Sequence, residues 1–228
     1  MKQRVLYLYY YLKHIHHKLR ARRTGSYNVL GSFLGIPAPT DEKANELIKD
    51  FIKSGKPFAI CRLGSAEFSE LQLYDEHVLF HTNRLGKSNM FETFHHSTEE
   101  VGRWSSLIKR DNQDIDVMAY FDDHPAEEYI VRTSCPKDMK LIRLGQLEPL
   151  AYKEPWTLAL AGKKVLLVNP FVDTMLEQYP HMDQIFPDRM VLPPDITFRT
   201  FKAVWFTGRG DDFDTWFDAL NYMYEEIM

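Results

Sequence analysis

Cysteine is nearly missing from this chain. Only Cys61 and Cys135 occur among 228 residues, with no C-x-x-C pair and no zinc-finger spacing. That argues against a disulfide framework and reads instead as two buried free thiols in a reducing compartment. No apolar run is long enough to cross a bilayer. No G-x-G-x-x-G, Walker loop or G-x-S-x-G is present, which argues against dinucleotide, NTPase and α/β-hydrolase chemistry. Internal repeats and low-complexity tracts are missing too. Acidic residues are absent from one place in particular: residues 1–23 carry seven Lys and Arg and no Asp or Glu. The remainder holds 21 basic against 32 acidic residues, so a basic arm precedes an acidic body.

Hydrophobic residues make up 44% of the chain and aromatic residues 14%, enough for one substantial core. The arm begins "MKQRVLYLYYYL", which superficially resembles a signal peptide. Its apolar run is short and tyrosine-rich, and basic residues follow in place of a small-residue cleavage site. Leu8, Leu12, Ile15 and Leu19 recur at helical spacing. The helix they predict either docks on its own domain or a partner chain, or rests on an anionic membrane surface with tyrosines at headgroup level.

Residues 24–40 read as a Gly/Pro/Ser-rich connection. Thr40 or Asp41 caps a helix to about Lys53, with Ala44, Leu47, Ile48, Phe51 and Ile52 inward. Strands are expected at 57–63, 116–121, 140–144, 162–171 and 198–206. The run "GKKVLLVNPF" is the strongest candidate for a fully buried strand. Helices are expected over about 65–74, 88–110, 125–133, 173–185 and 212–228. This alternation predicts an α/β fold: a Rossmann-like, mostly parallel sheet with helices on both faces, preceded by a basic helical arm. Residues 1–39 form the arm and linker, and 40–228 the main domain. The last helix ends without a breaker or tail, so the domain is expected to be incomplete at its C-terminus.

Ligands of an open parallel sheet bind beyond the carboxyl ends of its strands. Three stretches are expected there, and Arg62, Gly64 and Glu67 are expected to share a crevice with Asn169 and Pro170. In "CRLGSAE", Arg62 suits a phosphate, Gly64 permits close backbone approach, and Ser65 opens a helix whose first N–H groups favour an anion. Glu67 suits a base, a cation or a sugar hydroxyl. Read alone, the stretch is equally a capped helix with a surface Arg–Glu pair. Asp122 and Asp123 follow the next strand, where paired carboxylates hold Mg2+ or Mn2+ on a nucleotide diphosphate, or simply cap the helix after Pro125. Asn169, Pro170 and Phe171 follow the strongest strand. His77 and His81 stand four apart without the Glu of H-E-x-x-H, which makes a metal site improbable there.

Together, "ICRLGSAEFSEL", "LEPLAYKEPWTLALAGKKVLLVNPF" and "FPDRMVLPPDITFRTFKAV" resemble segments of bacterial GT-D-type glycosyltransferases from surface-polysaccharide clusters, over roughly residues 40–228. The first stretch resembles that family's R-x-G-D-G-E segment. The resemblance implies transfer of a sugar from a nucleotide donor, UDP-linked, to a lipid-linked glycan of the cell surface or capsule. It implies a cytoplasmic enzyme at the inner face of the plasma membrane, with no nucleic-acid partner. It places Glu67 at the family's glutamate, orienting donor or metal (Mn2+ or Mg2+), with Arg62, Gly64, Ser65, Asn169, Pro170 and Phe171 on the nucleotide-sugar. Ser65 stands where the family has aspartate, which puts metal dependence in question. Relatives also continue into a glycine-rich strand–turn segment that this sequence does not reach. The rival reading is a non-catalytic scaffold in a polysaccharide assembly complex.

Overall fold

Val117–Tyr120 is the strand around which the first part of the molecule is assembled, and all four of its residues are buried. The structure, a computed structural model, describes residues 2–24, 32–84, 97–121, 126–203 and 213–227. In chain order the helices and strands begin with α1 (Lys2–Thr24), β1 (Ser32–Phe33), β2 (Ile36–Pro37), α2 (Asp41–Ser54), β3 (Ile60–Cys61) and α3 (Ser65–Phe80). They continue with α4 (Thr98–Asp111), β4 (Val117–Tyr120), α5 (Glu127–Ser134) and β5 (Lys140–Arg143). Last come β6 (Lys164–Val168), α6 (Val172–Gln178), α7 (Met182–Ile185), β7 (Thr197–Phe201) and α8 (Trp216–Ile227). Among the described residues, those up to 39, 58–84 and 97–144 form one compact unit, and those of 40–57 and from 145 onward form another. The fold is mixed α/β with small parallel sheets.

In the first unit β3, β4 and β5 pair in that order, both pairings parallel. Parallel neighbours need a crossover, and helices supply it: α3 and α4 between β3 and β4, α5 between β4 and β5. The ladder is set before it starts, because the Asp116 carboxylate accepts the Ala59 N–H at 2.8 Å. Ser97 caps α4 through the Glu100 N–H, and Val101 and Trp104 of that helix are fully buried. Gly102 lies against Tyr74, where a side chain would press the phenol ring.

The arm is part of this unit. Tyr7 is buried, donates its hydroxyl to the Glu76 carboxylate at 2.6 Å and accepts from Gln72 at 3.0 Å. Its ring meets Tyr129 and Phe80 edge-on. Lys13 pairs with Glu128 at 2.6 Å, and Glu128 also accepts the Leu34 N–H at 2.8 Å. The supposed linker contains a hairpin: Leu34 and Gly35, both at positive φ, turn β1 into β2. Phe33 is thereby buried and stacked on Tyr120 at 4.4 Å.

The second unit starts with α2, capped by Thr40 and ended by Gly55 at φ 67. Buried Asn45 donates to the Glu154 carbonyl, and Gln146 donates to Asp41. β6 and β7 pair in parallel over five residues, connected through α6 and α7. Tyr179 pins that crossover, donating to the Pro193 carbonyl and accepting from the Ile196 N–H. On α8, Phe217 is buried, Tyr222 meets the ring of Phe201, and the Glu226 carbonyl accepts from Arg199. Tyr224 of the same helix is exposed.

Two further expectations need correcting. The described strands pair as three separate ladders, the β1–β2 hairpin, β3–β4–β5 and β6–β7, where the sequence pattern implies one sheet. β6 is not buried on both faces: Leu166 and Val168 are exposed. A continuous apolar run does not reveal how many strands flank it, and β6 pairs with β7 alone among the described strands. The predicted helix over 65–74 extends to Phe80, and those over 88–110 and 212–228 are described only as α4 and α8.

Candidate functional site

The carboxyl edge of β3–β4–β5 gathers the first candidate residues. The chain leaves β3 at Cys61, exposes Arg62, buries Leu63 and enters α3 at Gly64. Gly64 is the N-cap in extended geometry, with no side chain closing the helix start. Glu67, half-buried in the first turn, folds back over it: a β-carbon at position 64 would collide with Glu67 Oε2. That explains the glycine. It leaves room for a carboxylate at the positive end of a 16-residue helix, where negative charge is stabilising. Ser65 is exposed, and its carbonyl accepts from the Ser69 hydroxyl.

Cys61 reports the charges around this turn. Burial pushes its thiol up from the ordinary value, the Glu67 carboxylate pushes the same way, and the Arg62 guanidinium opposes both. Arg62 and Glu67 therefore both lie within electrostatic reach of the strand end. The thiol stays protonated near neutrality, which makes Cys61 a poor nucleophile.

At the end of β4 the Phe121 N–H donates to Glu127 Oε1 at 2.6 Å. Glu127 is almost fully buried, while the Phe121 ring is exposed. Asp122 and Asp123 lie outside the described residues. On β5, Arg143 is exposed and stands in register with Tyr120. The edge thus presents Arg62, Glu67, Arg143 and an exposed aromatic ring, with Glu127 and Glu128 buried at the start of α5 behind it.

Glu127 and Glu128 escaped the sequence reading. In "PAEEYIVRT" they look like ordinary acids in a first helical turn. The sequence of α5 carries no signal for their burial, since five of its eight residues are polar and Arg132 and Thr133 are exposed.

Asn169, Pro170 and Phe171 belong to the second unit. The Asn169 N–H continues the ladder by donating to the Phe201 carbonyl at 3.2 Å, and its side chain accepts the Phe171 N–H at 2.9 Å. This turn closes on itself, leaving Phe171 exposed and Lys202 paired with Asp173 at 2.6 Å. A groove of about 750 Å³ in the same unit, walled by Tyr179, Met182, Phe186, Met190 and Val191, contains none of the residues singled out from sequence.

For a metal, the β3 turn offers one carboxylate and one hydroxyl. Hard divalent cations favour a fuller shell of oxygen ligands, so these residues by themselves do not fit Mn2+ or Mg2+. No group of three or more His, Cys, Asp or Glu side chains that could hold a metal occurs among the described residues. His77 uses Nδ1 on the Thr82 carbonyl at 2.7 Å, and His81 is the left-handed cap of α3.

No family model, no curated protein and no solved structure matches this chain.

Proposed function

We propose that the chain is a nucleotide-sugar-dependent glycosyltransferase of GT-D type, with the β3–β4–β5 strands belonging to a Rossmann-like sheet. The observation that carries the reading is the β3–α3 turn. An arginine, a glycine N-cap and a first-turn glutamate stand together at the carboxyl edge of a parallel sheet, where such folds bind nucleotides. Arg62 pairs with the donor diphosphate, and the first N–H groups of α3, which have no intrahelical acceptor, receive a phosphate oxygen. Glu67 swings off Gly64 towards the sugar. Transfer breaks the anomeric carbon–oxygen bond to the diphosphate and forms one to an acceptor hydroxyl, whose proton passes to a carboxylate. Glu67 is the residue assigned that proton or the sugar hydroxyls beside it. The acceptor is a lipid-linked surface glycan, and the enzyme works at the cytoplasmic face of the membrane. No helix among the described residues is long and apolar enough to cross it.

A second reading, a non-catalytic scaffold in a polysaccharide assembly complex, is favoured by two observations. Ser65 stands where the resembled family has aspartate, and the Glu67 carboxylate lies over Gly64 at its own helix start. A thermal-shift panel of UDP-linked sugars, with and without Mn2+, separates the two. A donor at about a hundred times its Kd adds roughly 2.7 kcal/mol of stability. A melting temperature unmoved by every nucleotide-sugar favours the scaffold.

A further inference from the structure

Among the described residues, α1 is held to the rest of the chain by one of its sides. Tyr7, Lys13 and their neighbours hold it against α3 and α5. On another side Val5, Leu8, Leu12, Ile15 and Leu19 are 63, 47, 62, 39 and 51% exposed. Their spacing alternates three and four residues, so they line up as a narrow apolar stripe from Val5 to Leu19. The stripe expected from sequence is therefore present, but the helix docks by its tyrosine side instead.

We infer that this stripe lies on an anionic lipid bilayer, with α1 in the plane of the interface. The charges beside it choose the occupant. Lys2, Arg4, Lys18, Arg20 and Arg23 are exposed, and the helix contains no acid. At 3.6 residues per turn, Arg4 and Lys18 fall on one flank of the stripe, and Lys2 and Arg20 on the other. Long basic side chains beside such a stripe keep their stems on apolar surface, and the exposed Lys2 and Arg23 can send their charges to phosphate headgroups. Tyr9, exposed beside Val5 and Lys2, suits the headgroup level. A second copy of this chain is the other obvious cover for an apolar helical stripe. It would set two acid-free helices side by side, with basic residues facing basic residues at the seam, which opposes pairing. This inference rests on α1 alone and stands or falls independently of donor binding.

The test is cosedimentation of the full chain with vesicles of phosphatidylcholine alone, or with roughly 30% phosphatidylglycerol added. Binding is expected to the anionic vesicles only, and to fall as salt rises from about 0.1 M to about 0.5 M. Two variants are compared: Leu8→Ser/Leu12→Ser/Ile15→Ser, and Lys2→Gln/Arg23→Gln. Each should weaken binding by about tenfold or more, with melting temperature and circular dichroism unchanged. Leu150→Ser, at an exposed apolar position of the second unit, should have no effect. The inference is overturned if wild type ignores anionic vesicles, or if folded variants bind as well as wild type. It is also overturned if the serine variant converts a dimer to a monomer in light scattering, which would assign the stripe to a second copy.

Discussion

At position 64 the absence of a side chain lets the Glu67 carboxylate lie over the start of α3. The pair should therefore be coupled. Gly64→Ala should displace the Glu67 carboxylate and cost up to about 1 kcal/mol, and Glu67→Ala should cost a similar amount through lost helix-end charge. With Glu67 already alanine, the Gly64 substitution should cost less, and urea unfolding of the four proteins measures this. Additive costs would mean that the two residues do not meet. Cys135 behaves differently. Burial pushes its thiol up to about 11, opposed by the Ser134 hydroxyl. Native protein should resist alkylation there at pH 8 and react once unfolded. Because the folded pKa is raised, the contribution to stability is present below about pH 8.5 and is lost as pH climbs towards 11. Rapid native labelling of Cys135 at pH 8 would contradict that burial. Much at this scale was legible in sequence, since Arg62, Gly64 and Glu67 are local. Glu127 and Glu128 were not, because their burial depends on Phe121, Lys13 and Leu34, residues contributed by three other segments.

Among elements, α2 was legible because its own residues carry both caps, Thr40 and Gly55, and α4 by its 3.6-residue period, although its N-cap Ser97 lies inside the helix expected over 88–110. Ala44, Ile48 and Ile52 of α2 and Val101 and Trp104 of α4 are buried as that period requires. Trp104→Ala should cost about 3–5 kcal/mol by chemical denaturation, and a loss below about 1 kcal/mol would deny it a place in the core. β6 misled, since its run of apolar residues is the same whether a strand has one buried face or two. The hairpin at 32–37 was read as connection because Gly and Pro signal a turn without saying what the turn presents. Here it presents Phe33 to Tyr120. Glu128 ties three elements together, α1, the hairpin and α5. Glu128→Gln should weaken that junction by about 2 kcal/mol. Hydrogen exchange should then quicken over residues 2–24, whereas unchanged exchange there would mean that α1 is held by Tyr7 alone.

Across the whole molecule, alternation of strands and helices identified a mixed α/β fold with parallel strands. The division into two units was not visible. Residues 40–57 interrupt the first unit in sequence yet pack with residues after 145, and no local pattern announces such long-range partners. The functional account places donor recognition in the first unit, at the carboxyl edge of β3–β4–β5. Its most direct test is calorimetric titration of a UDP-linked sugar into wild type and Arg62→Ala. Arg62 is exposed, so its replacement should leave the melting temperature within about 1 °C. The account predicts that wild type binds and that Arg62→Ala binds about tenfold or more weakly, as loss of a charge-assisted phosphate contact requires. Equal binding by the two proteins, or no binding of any UDP-linked sugar by wild type, would contradict it.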